Sequence, residues 1–396
     1  MNHPNTLSFW ERDSFLNDID VAIIGSGIVG LSAALTLRER NAQLRIAVIE
    51  RGALPEGAST RNAGFACFGS ISELLDDLET SSENAVFALV EKRFRGLARL
   101  RQRVGDANMR YEAFGNYEIF KNTVEERNTD SSGKGRGFEQ CADKLAYFNK
   151  NVQDIVGRKD NYQIATTDFG LKNVYPKMIL NVSEGQIDTG RMMITLLRLA
   201  KENNILIFNG LKIKKLTDTL SLRGTKQEGV TLETDEGWDF SAQKVVVATN
   251  GFARQLMPQL AVIAARNQVI ITKPMPNLRI KGGFHYDKGY FYFRNVGNRL
   301  LFGGGRHLDV EKEMTDAFGE TKLIQNTLNQ LLKEVILPEQ PFEIDMTWSG
   351  ILGIGTQKKP IIERISPNIV VAVRMGGMGV AIGSLVGEEA ADLVDI

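Results

Sequence analysis

The stretch DVAIIGSGIVGLSAALTLRE, residues 20–39, limits the possible folds of this chain more than any other feature. It is apolar, but a helix that spans a lipid bilayer needs roughly 20 unbroken apolar residues, and here glycines divide the stretch into two patterns. Residues 21–24 have the composition of a buried strand, whereas residues 31–40 repeat their apolar side chains at helical intervals. Residues 25–30 lie between them and form a G-x-G-x-x-G turn. The stretch therefore predicts a strand, a tight turn and a helix instead of a membrane span.

A second strand and an acidic residue follow at the spacing typical of a dinucleotide-binding βαβ unit. Residues 45–49 form the predicted strand, and Glu50 comes twenty residues after Gly30, where such a fold uses a carboxylate to accept hydrogen bonds from the adenosine ribose. The glycines permit a tight turn, close approach of the backbone to pyrophosphate and close packing of helix on strand. The N-terminus of the helix attracts the phosphate charge. We predict that this unit binds a dinucleotide; a glycine-rich turn without a ligand is the alternative.

Composition argues against several other classes of function. The chain has 48 basic and 48 acidic residues, so its net charge indicates neither nucleic-acid binding nor attraction to anionic membranes. Its three histidines and its two cysteines, Cys67 and Cys141, show no metal-binding spacing. The polar N-terminal segment does not resemble a signal peptide, and the low cysteine content favours a reducing, cytoplasmic location. We therefore expect a small-molecule substrate and no metal, nucleic acid or transmembrane segment.

Three further segments follow the pattern of a cofactor site. Residues 51–65 form a long loop rich in Gly, Ser and Asn. Residues 244–251 are a β-branched strand that ends in Asn-Gly, and residues 368–373 are another strand, which runs into a glycine-rich turn at 375–383. That turn opens the final helix, predicted at residues 384–394, whose N-terminal amides form a second positive pole.

Together these segments resemble the D-amino-acid oxidase superfamily of FAD enzymes, and more narrowly its glycine oxidase, sarcosine oxidase and gamma-glutamylputrescine oxidase branch, over almost the whole chain. The resemblance implies that FAD is the cofactor. It is expected to be bound non-covalently, because no cysteine lies near the C-terminal positions where sarcosine oxidases attach their flavin. The residues that the resemblance assigns to FAD are Gly25, Gly27, Ile28, Val29, Gly30, Glu50, Arg51, Ser59, Thr60, Arg61, Asn62, Ala63, Gly64, Ala248, Thr249, Asn250, Gly251, Gly376, Gly377, Met378 and Gly379.

The resemblance also implies the fold class, an α/β Rossmann-like FAD-binding domain with a discontinuous α+β substrate domain built on an antiparallel sheet. We assign residues 19–85, 186–255 and 346–396 to the FAD-binding domain, residues 86–185 and 256–345 to the substrate domain, and residues 1–18 to an N-terminal arm. The pattern fits this division, because residues 86–104 and 192–203 have the periodicity of amphipathic helices. Residues 266–306 contain strands separated by Asn, Gly and Pro.

The chemistry implied by the resemblance is removal of a hydride from the carbon next to an amine nitrogen, followed by hydrolysis of the imine. Hydride chemistry is what a flavin supplies, while the protein holds the C–H bond, keeps the amine neutral and stabilises the charge that develops. Alternation along one predicted strand places Tyr290, Tyr292 and Arg294 on the same face. We select Tyr292, Arg306 and Trp348 as the residues expected to contact the substrate or assist the reaction.

Two departures from the family pattern concern the substrate and the electron acceptor. Glycine-oxidase-like sequences carry W-x-G-x-R, whose arginine binds the substrate carboxylate, but here the motif beginning at Trp348 has leucine at position 352. Either Arg306 or Lys358 binds the carboxylate, or the α-carboxylate is absent or distant, and we expect an amine of the gamma-glutamylputrescine type. Residues 298–303 lack the lysine that sarcosine oxidases place over the flavin, so the acceptor is O2 or another compound.

An FAD-dependent amine or amino-acid oxidase is thus the main prediction. A dehydrogenase of the same fold, which passes electrons to a quinone or a carrier protein, is the first alternative. A flavin-binding module without turnover is the second. A nicotinamide-dependent dehydrogenase is disfavoured, because its site needs neither the long loop after Glu50 nor the glycine-rich turn near the C-terminus.

Overall fold

The structure is a computed structural model that describes residues 6–122, 137–219 and 229–396. Within these residues it contains two eight-stranded sheets and one two-stranded sheet. The predicted combination of a parallel-stranded α/β unit with a second, antiparallel sheet is confirmed. No helix in the described ranges has the length and apolar character needed to cross a membrane. Residues 20–39 instead contribute the strand Ile19–Ile24 and the helix Ile28–Arg40, as predicted.

The first sheet is built around parallel strands. The order across it is Ile361–Ser366, Ile369–Val373, Asp239–Val247, Ile19–Ile24, Ile46–Glu50 and Leu206–Asn209, and a branch from Asp239–Val247 adds Gly229–Thr234 and Ile213–Thr219. The central strands are runs of Val, Ile and Ala, because parallel strands covered on both faces need apolar side chains throughout. The strands predicted in the βαβ unit and at residues 244–249 and 368–373 are confirmed, with shifted ends.

Alternate residues of this sheet enter two separate cores. Val21, Ile23 and Val48 pack under four helices, which are Ile28–Arg40, Glu83–Val104, Thr189–Glu202 and Gly379–Asp392. Ala22 and Ile24 point to the other core, which the branch strands and residues 256–262 cover. The sheet is therefore buried on both faces, and the carboxyl ends of its strands are left to form a site.

The second sheet is mainly antiparallel. Its order is Ile344–Ile354, Ile263–Thr272, Arg299–Gly304, Phe291–Val296, Gly283–Tyr286, Asn116–Ile119, Met178–Asn181 and Tyr162–Ala165. Gly283–Tyr286 and Asn116–Ile119 are its parallel pair. One face packs an aromatic core that includes Phe284, Phe293 and Phe302 against the helix Lys322–Leu331, which leaves the other face to roof a site.

Shorter elements connect the two sheets. The strands Phe65–Ala66 and Gly185–Gln186 pair with each other. The remaining helices are Ala58–Arg61, Ile71–Thr80, Phe138–Ala142, Leu145–Val156 and Val310–Glu313, and short helical turns occur at Glu11–Leu16, Asn250–Gln255, Arg306–Asp309 and Leu332–Ile336.

The predicted domain division stays a prediction. The strand Ile344–Ile354 pairs within the second sheet across the boundary placed at residue 346. The helix Glu83–Val104, most of which was assigned to the substrate domain, shares the helical core of the first sheet. In the predicted arm, residues 1–5 lie outside the described residues.

Candidate active site

A cleft opens where the strands of the first sheet end, and we call it the cradle. It is lined by the ends of three parallel strands and by the starts of the helices that follow them. Of the residues assigned to FAD from the sequence, the cradle contains Gly25, Gly27, Ile28, Val29, Glu50, Arg51, Ser59, Asn62, Ala248, Thr249, Asn250, Gly377 and Gly379. The segments quoted for the resemblance are therefore brought together at one edge of the sheet.

Two glycines of the motif leave space for the wall of the cradle, and the first of them also has a backbone conformation that favours glycine. Gly25 has a positive φ of 109°, and a Cβ there would lie 2.9 Å from the carbonyl oxygen of Ala248. A Cβ on Gly27 would lie 2.8 Å from the Ser59 hydroxyl, which accepts a hydrogen bond of 3.0 Å from the Ile28 amide. Side chains at either position would fill the cradle or displace its wall.

Glu50 is held rigidly at the floor of the cradle. Its Oε2 accepts hydrogen bonds from the Ser26 amide (3.2 Å) and hydroxyl (2.7 Å), and its Oε1 accepts one from the Gly52 amide (3.1 Å). Across the cradle, the hydroxyl of Thr249 is buried without a hydrogen-bond partner. A buried polar atom of this kind costs free energy unless a ligand satisfies it. The donors, acceptors and glycine turns present thus fit a dinucleotide.

Three residues assigned to FAD from the sequence do not line the cavity but allow the backbone segments around it to pack closely. A Cβ on Gly30 would lie 1.9 Å from the carbonyl oxygen of Gly25, so Gly30 allows the helix to pack on the turn. A Cβ on Gly251 would lie 2.4 Å from the Leu352 carbonyl oxygen. The Thr60 hydroxyl donates to the carbonyl oxygens of Pro55 and Gly57 and so closes its own loop.

The cradle continues into a second cavity of about 320 Å³, which we call the chamber. Ala58, Asn62, Leu352, Gly377 and Val380 line both cavities, which makes the two spaces continuous. The other residues assigned to FAD that line the chamber are Arg61, Ala63, Gly64, Gly376 and Met378. A ligand with a nucleotide end in the cradle can therefore present its other end to the chamber.

One row of paired strand residues crosses the roof of the chamber. Glu118 is paired with His285, His285 with Tyr292, Tyr292 with Gly303, and Gly303 with Val269. Paired residues place their side chains on the same face of a sheet. His285, Tyr292 and Val269 accordingly line the chamber.

Tyr292 occupies the centre of this roof, as predicted for a pocket residue. A Cβ on Gly303 would lie 2.8 Å from the ring of Tyr292, so the glycine gives the ring its space. The Tyr292 hydroxyl accepts a long hydrogen bond of 3.4 Å from the Asn267 amide nitrogen. Burial raises the pKa of Tyr292 to about 12, so its phenol stays protonated. Arg294 shares this face but is buried, and its guanidinium donates to the Ile187 carbonyl oxygen (2.9 Å).

The four cationic side chains that line the chamber differ in whether a carboxylate forms an ion pair with them. Lys358 is paired with Glu73 (3.1 Å) and Asp77 (2.6 Å), and Lys288 is paired with Asp76 (3.1 Å). The remaining two are arginines.

Arg61 donates to the Ser349 carbonyl oxygen (3.0 Å) and lies 4.2 Å from the centre of the Phe318 ring. Arg306 is partly buried, and among the described residues no carboxylate forms an ion pair with it. Among the described residues, neither Arg61 nor Arg306 has a carboxylate partner, and Arg306 is the one of the four cations that also makes no hydrogen bond, which leaves its guanidinium for an anionic ligand.

Glu73 and His285 also line the chamber, and their pKa values are strongly shifted. Burial alone would raise the pKa of Glu73, but the charges of Arg93 and Lys358 outweigh it and lower the pKa to about 2. Burial lowers the pKa of His285 to about 4, against an opposing effect of the Glu73 charge. At neutral pH the chamber therefore contains an anionic Glu73 and an uncharged imidazole.

Two residues discussed from the sequence have structural contacts near the chamber. Trp348 donates its indole N–H to the Arg61 carbonyl oxygen (3.0 Å) and packs with a small apolar cluster beside the chamber. These contacts stabilise the backbone that forms the chamber wall. Leu352 lines both cavities with an apolar side chain where the family pattern has arginine.

The sequence did not identify His285, Glu73 or Asn267 as chamber residues. His285 reaches the chamber because a hairpin pairs it with Tyr292, and the residues at 287–289, all with positive φ, mark the turn of that hairpin. Recognition of this turn would have put His285 opposite Tyr292. Glu73 lies on the helix Ile71–Thr80, and no local pattern connects it to the sheet.

Comparisons with known proteins agree with this architecture. The family model described as "FAD dependent oxidoreductase", DAO, matches residues 20–393. The gamma-glutamylputrescine oxidoreductase of Escherichia coli K12 is 25% identical over 391 residues, which cover 95% of this chain and 83% of that relative. A probable oxidoreductase OrdL of Haemophilus influenzae is 22% identical, with coverage of 95% and 82%.

Solved structures show the same fold at lower identity. The glycine oxidase from Bacillus cereus has a TM-score of 0.72 at 17% identity, and the alignment covers 95% of this chain and 97% of that one. The L-proline dehydrogenase from P. horikoshii has a TM-score of 0.70 at 17% identity, with coverage of 96% and 94%.

Proposed function

The chain belongs to the DAO family of FAD-dependent oxidoreductases, and from this premise we propose that it oxidises the carbon next to the nitrogen of a small amine that also carries a carboxylate. The observation that carries the proposal is the unpaired guanidinium of Arg306 in a chamber continuous with the cradle. A carboxylate is the anion that matches the bidentate geometry of guanidinium.

The cradle and the chamber divide the work of binding. We propose that the turn at Gly25, Gly27 and the carboxylate of Glu50 hold the nucleotide half of FAD, with the helix N-terminus at Ile28 near the phosphates. The glycines at 376, 377 and 379 border the chamber or the cradle at the start of the last helix, where its dipole favours negative charge. When bound, FAD supplies the acceptor for the hydride removed from the substrate.

The walls of the chamber favour a substrate whose carboxylate is not next to the reacting carbon. Leu352 replaces the arginine that would bind an α-carboxylate, and it offers only apolar surface where the two cavities join. Arg306 follows the strand Arg299–Gly304, which lies in the same sheet as Leu352 but two strands away from it. An amine of the gamma-glutamylputrescine type, with its carboxylate several bonds from the oxidised carbon, fits this arrangement better than glycine does.

The substrate is tested by anaerobic titration of the purified, FAD-loaded protein. Gamma-glutamylputrescine, glycine, L-proline and iminodiacetate are added separately while the visible flavin absorbance is followed. We expect gamma-glutamylputrescine to bleach the flavin and putrescine, which has the same amine chain without a carboxylate, to do so much more weakly. Equal bleaching by the two would remove Arg306 from the proposal, and a flavin that no amine bleaches would favour a module without turnover.

The electron acceptor is tested in the same cuvette. Air is admitted after bleaching, and the return of the flavin absorbance is timed against the return with a quinone analogue. Recovery within seconds in air and release of peroxide would identify an oxidase. Recovery that needs the quinone would identify a dehydrogenase, the alternative that the absence of a lysine at residues 298–303 keeps open.

A further inference from the structure

His285 has a polar atom without a partner in the chamber. Its Nε2 is buried and makes no hydrogen bond, although the side chain lines the cavity. An unsatisfied buried nitrogen costs roughly 1–3 kcal/mol relative to a satisfied one, and native proteins leave few such groups without a reason. A ligand in the chamber that brings an N–H to this nitrogen removes the cost.

The ring of His285 is held in one place by three neighbours. Its strand is paired on one side with Glu118 in parallel register and on the other with Tyr292 in antiparallel register. The centre of its ring lies 5.2 Å from the centre of the Phe65 ring, which also lines the chamber. A side chain fixed in this way can direct its lone pair at a bound substrate.

Burial keeps the ring of His285 neutral, although an anionic side chain lies among the titratable groups around it. On the neighbouring strands are Glu118, whose pKa burial raises to about 7, and the protonated phenol of Tyr292. The helix at 71–80 presents the anionic Glu73, and the hairpin turn presents Lys288, which is paired with Asp76. Burial outweighs the Glu73 charge and lowers the pKa of His285 to about 4, so the lone pair is free throughout the neutral range.

We propose that Nε2 of His285 accepts the ammonium proton of the substrate, and this rests on the function proposed above. In this step the substrate N–H bond breaks, an Nε2–H bond forms, and the substrate becomes a neutral amine whose lone pair assists departure of the hydride from the adjacent carbon. Bound FAD would accept that hydride, which would leave the carbon at the imine level. The proton on the imidazolium passes to solvent when the product leaves.

The transfer becomes less unfavourable when the substrate ammonium loses its solvation in the chamber. A free alkyl ammonium has a pKa near that of lysine, about 10.4, and burial disfavours its charge. Its pKa therefore falls toward that of His285, which is already buried and has a pKa of about 4. General bases placed in this way accelerate reactions by roughly 10²–10⁴-fold.

The test is anaerobic stopped-flow reduction of the FAD-loaded protein by gamma-glutamylputrescine between pH 6 and pH 10. The variants are His285→Phe, which keeps an aromatic ring against Phe65, and His307→Phe as a matched control. His307 is the other histidine in the described residues, also has an unpartnered ring nitrogen, and packs against Tyr290 (4.3 Å).

We expect His285→Phe to lower the reduction rate constant about 100-fold at pH 7.5. The loss is expected to shrink as the pH rises, because the amine then arrives already neutral, so the apparent pKa of the reduction moves up by at least about one unit. His307→Phe is expected to follow the wild-type profile.

Unchanged rate constants and an unchanged apparent pKa in His285→Phe would overturn the inference while leaving the proposed function intact. If His285→Phe fails to retain FAD, His285→Gln decides, because glutamine accepts a hydrogen bond but no proton: a near-normal KM with a lowered kcat supports the inference, and a normal kcat overturns it. If the wild-type flavin is reduced by none of the four amines, the proposed function fails and the inference falls with it.

Discussion

The cradle and the chamber differ in the material from which they are built. The cradle combines glycine turns at the ends of parallel strands with apolar side chains such as Ile28 and Phe252, and Glu50 is its buried carboxylate. The chamber is formed by side chains, among them Glu73, His285, Tyr292 and Arg306, which come from segments far apart in the sequence. In the proposed function the cradle holds the nucleotide half of FAD, whereas the chamber has to recognise one substrate.

This difference between the two cavities predicts which amino-acid substitutions each of them tolerates. Backbone cavities are sensitive to any added atom, since a Cβ has nowhere to go when the nearest atom is a carbonyl oxygen. Side-chain cavities accept substitutions sterically and change their specificity instead. We therefore expect substitutions in the cradle to affect stability and cofactor retention, and those in the chamber to affect kinetics.

The strongest test of this contrast is Gly30→Ala. A methyl group at this position would lie 1.9 Å from the Gly25 carbonyl oxygen, so helix and turn have to separate. We expect a loss of about 3 kcal/mol in the free energy of unfolding, the upper end for an overpacked site, and a protein purified without flavin. Thermal unfolding and the flavin absorbance of the purified protein measure both effects.

Gly57→Ala is the control for this substitution. Gly57 precedes the helix Ala58–Arg61 and lines the cradle, and a Cβ there meets nothing within 4 Å at a φ of −73°. It is expected to keep both FAD and its unfolding temperature. Retention of FAD by Gly30→Ala, or its loss from Gly57→Ala, would break the argument that space at the turn decides binding.

Arg306→Leu tests the chamber side of the contrast. A two-pronged guanidinium–carboxylate interaction contributes up to about 3 kcal/mol, so we expect kcat/KM for gamma-glutamylputrescine to fall about 100-fold. Flavin content and unfolding temperature should stay unchanged. Arg306→Lys keeps the charge without the fork and is expected to recover part of the loss. A fall of the same size with putrescine would show that Arg306 does not read a carboxylate.

The same contrast explains what could be predicted from the sequence. The βαβ unit was predictable because strand, glycine turn, helix and acid follow one another within residues 19–50, where spacing alone decides geometry. Tyr292 was predictable from alternation within one strand. His285 and Glu73 were not, because their positions depend on a hairpin register and on the packing of a helix against a distant sheet.

Arg306 lies between these cases. Its place after the run of glycines at 303–305 was visible in the sequence, but its freedom from a carboxylate partner depends on which acids the fold pairs with Lys288 and Lys358. Ion pairing across 285 residues of chain, as between Glu73 and Lys358, has no local signature. The substrate specificity of the site therefore has to be inferred from the structure and not from the sequence.

Glu50→Gln tests whether a side chain of the cradle, and not only its glycines, affects FAD binding. The carboxylate accepts from Ser26 and Gly52 on its two oxygens, and an amide would turn one NH2 group toward a donor. We expect a cost of about 2 kcal/mol, seen as FAD binding to the apoprotein that is about 30-fold weaker. Glu56→Gln is the control, because the Glu56 carboxylate is half-exposed and forms an ion pair with Arg51 at 3.6 Å. Equal affinities for the two variants would contradict a special role for Glu50.

The smallest effect concerns how pH acts on the chamber wall through Glu184. This buried carboxylate accepts hydrogen bonds from the Phe68 amide (2.7 Å), the Gly69 amide (3.0 Å) and the Asn116 side chain (2.8 Å). Burial raises its pKa to about 7 from the ordinary 4.5, although these hydrogen bonds oppose the shift. The folded protein thus binds this proton more tightly than the unfolded chain does.

The sign of the pH dependence follows from that difference. Because the folded pKa lies above the unfolded one, the Glu184 proton favours folding fully below about pH 4.5, and its contribution declines until about pH 7. We expect the urea midpoint of the wild type to fall between pH 5 and pH 8, and Glu184→Gln to flatten that fall by an equivalent of about 1–2 kcal/mol. Glu118, whose pKa is also raised to about 7, adds to the fall, whereas His285, whose pKa is lowered from 6.5 to about 4, opposes it below about pH 6.5. If the Glu184→Gln profile runs parallel to that of the wild type, the hydrogen bonds from Phe68 and Gly69 outweigh the effect of burial on the pKa of Glu184. The chamber wall would then be as insensitive to pH as the glycine turns of the cradle.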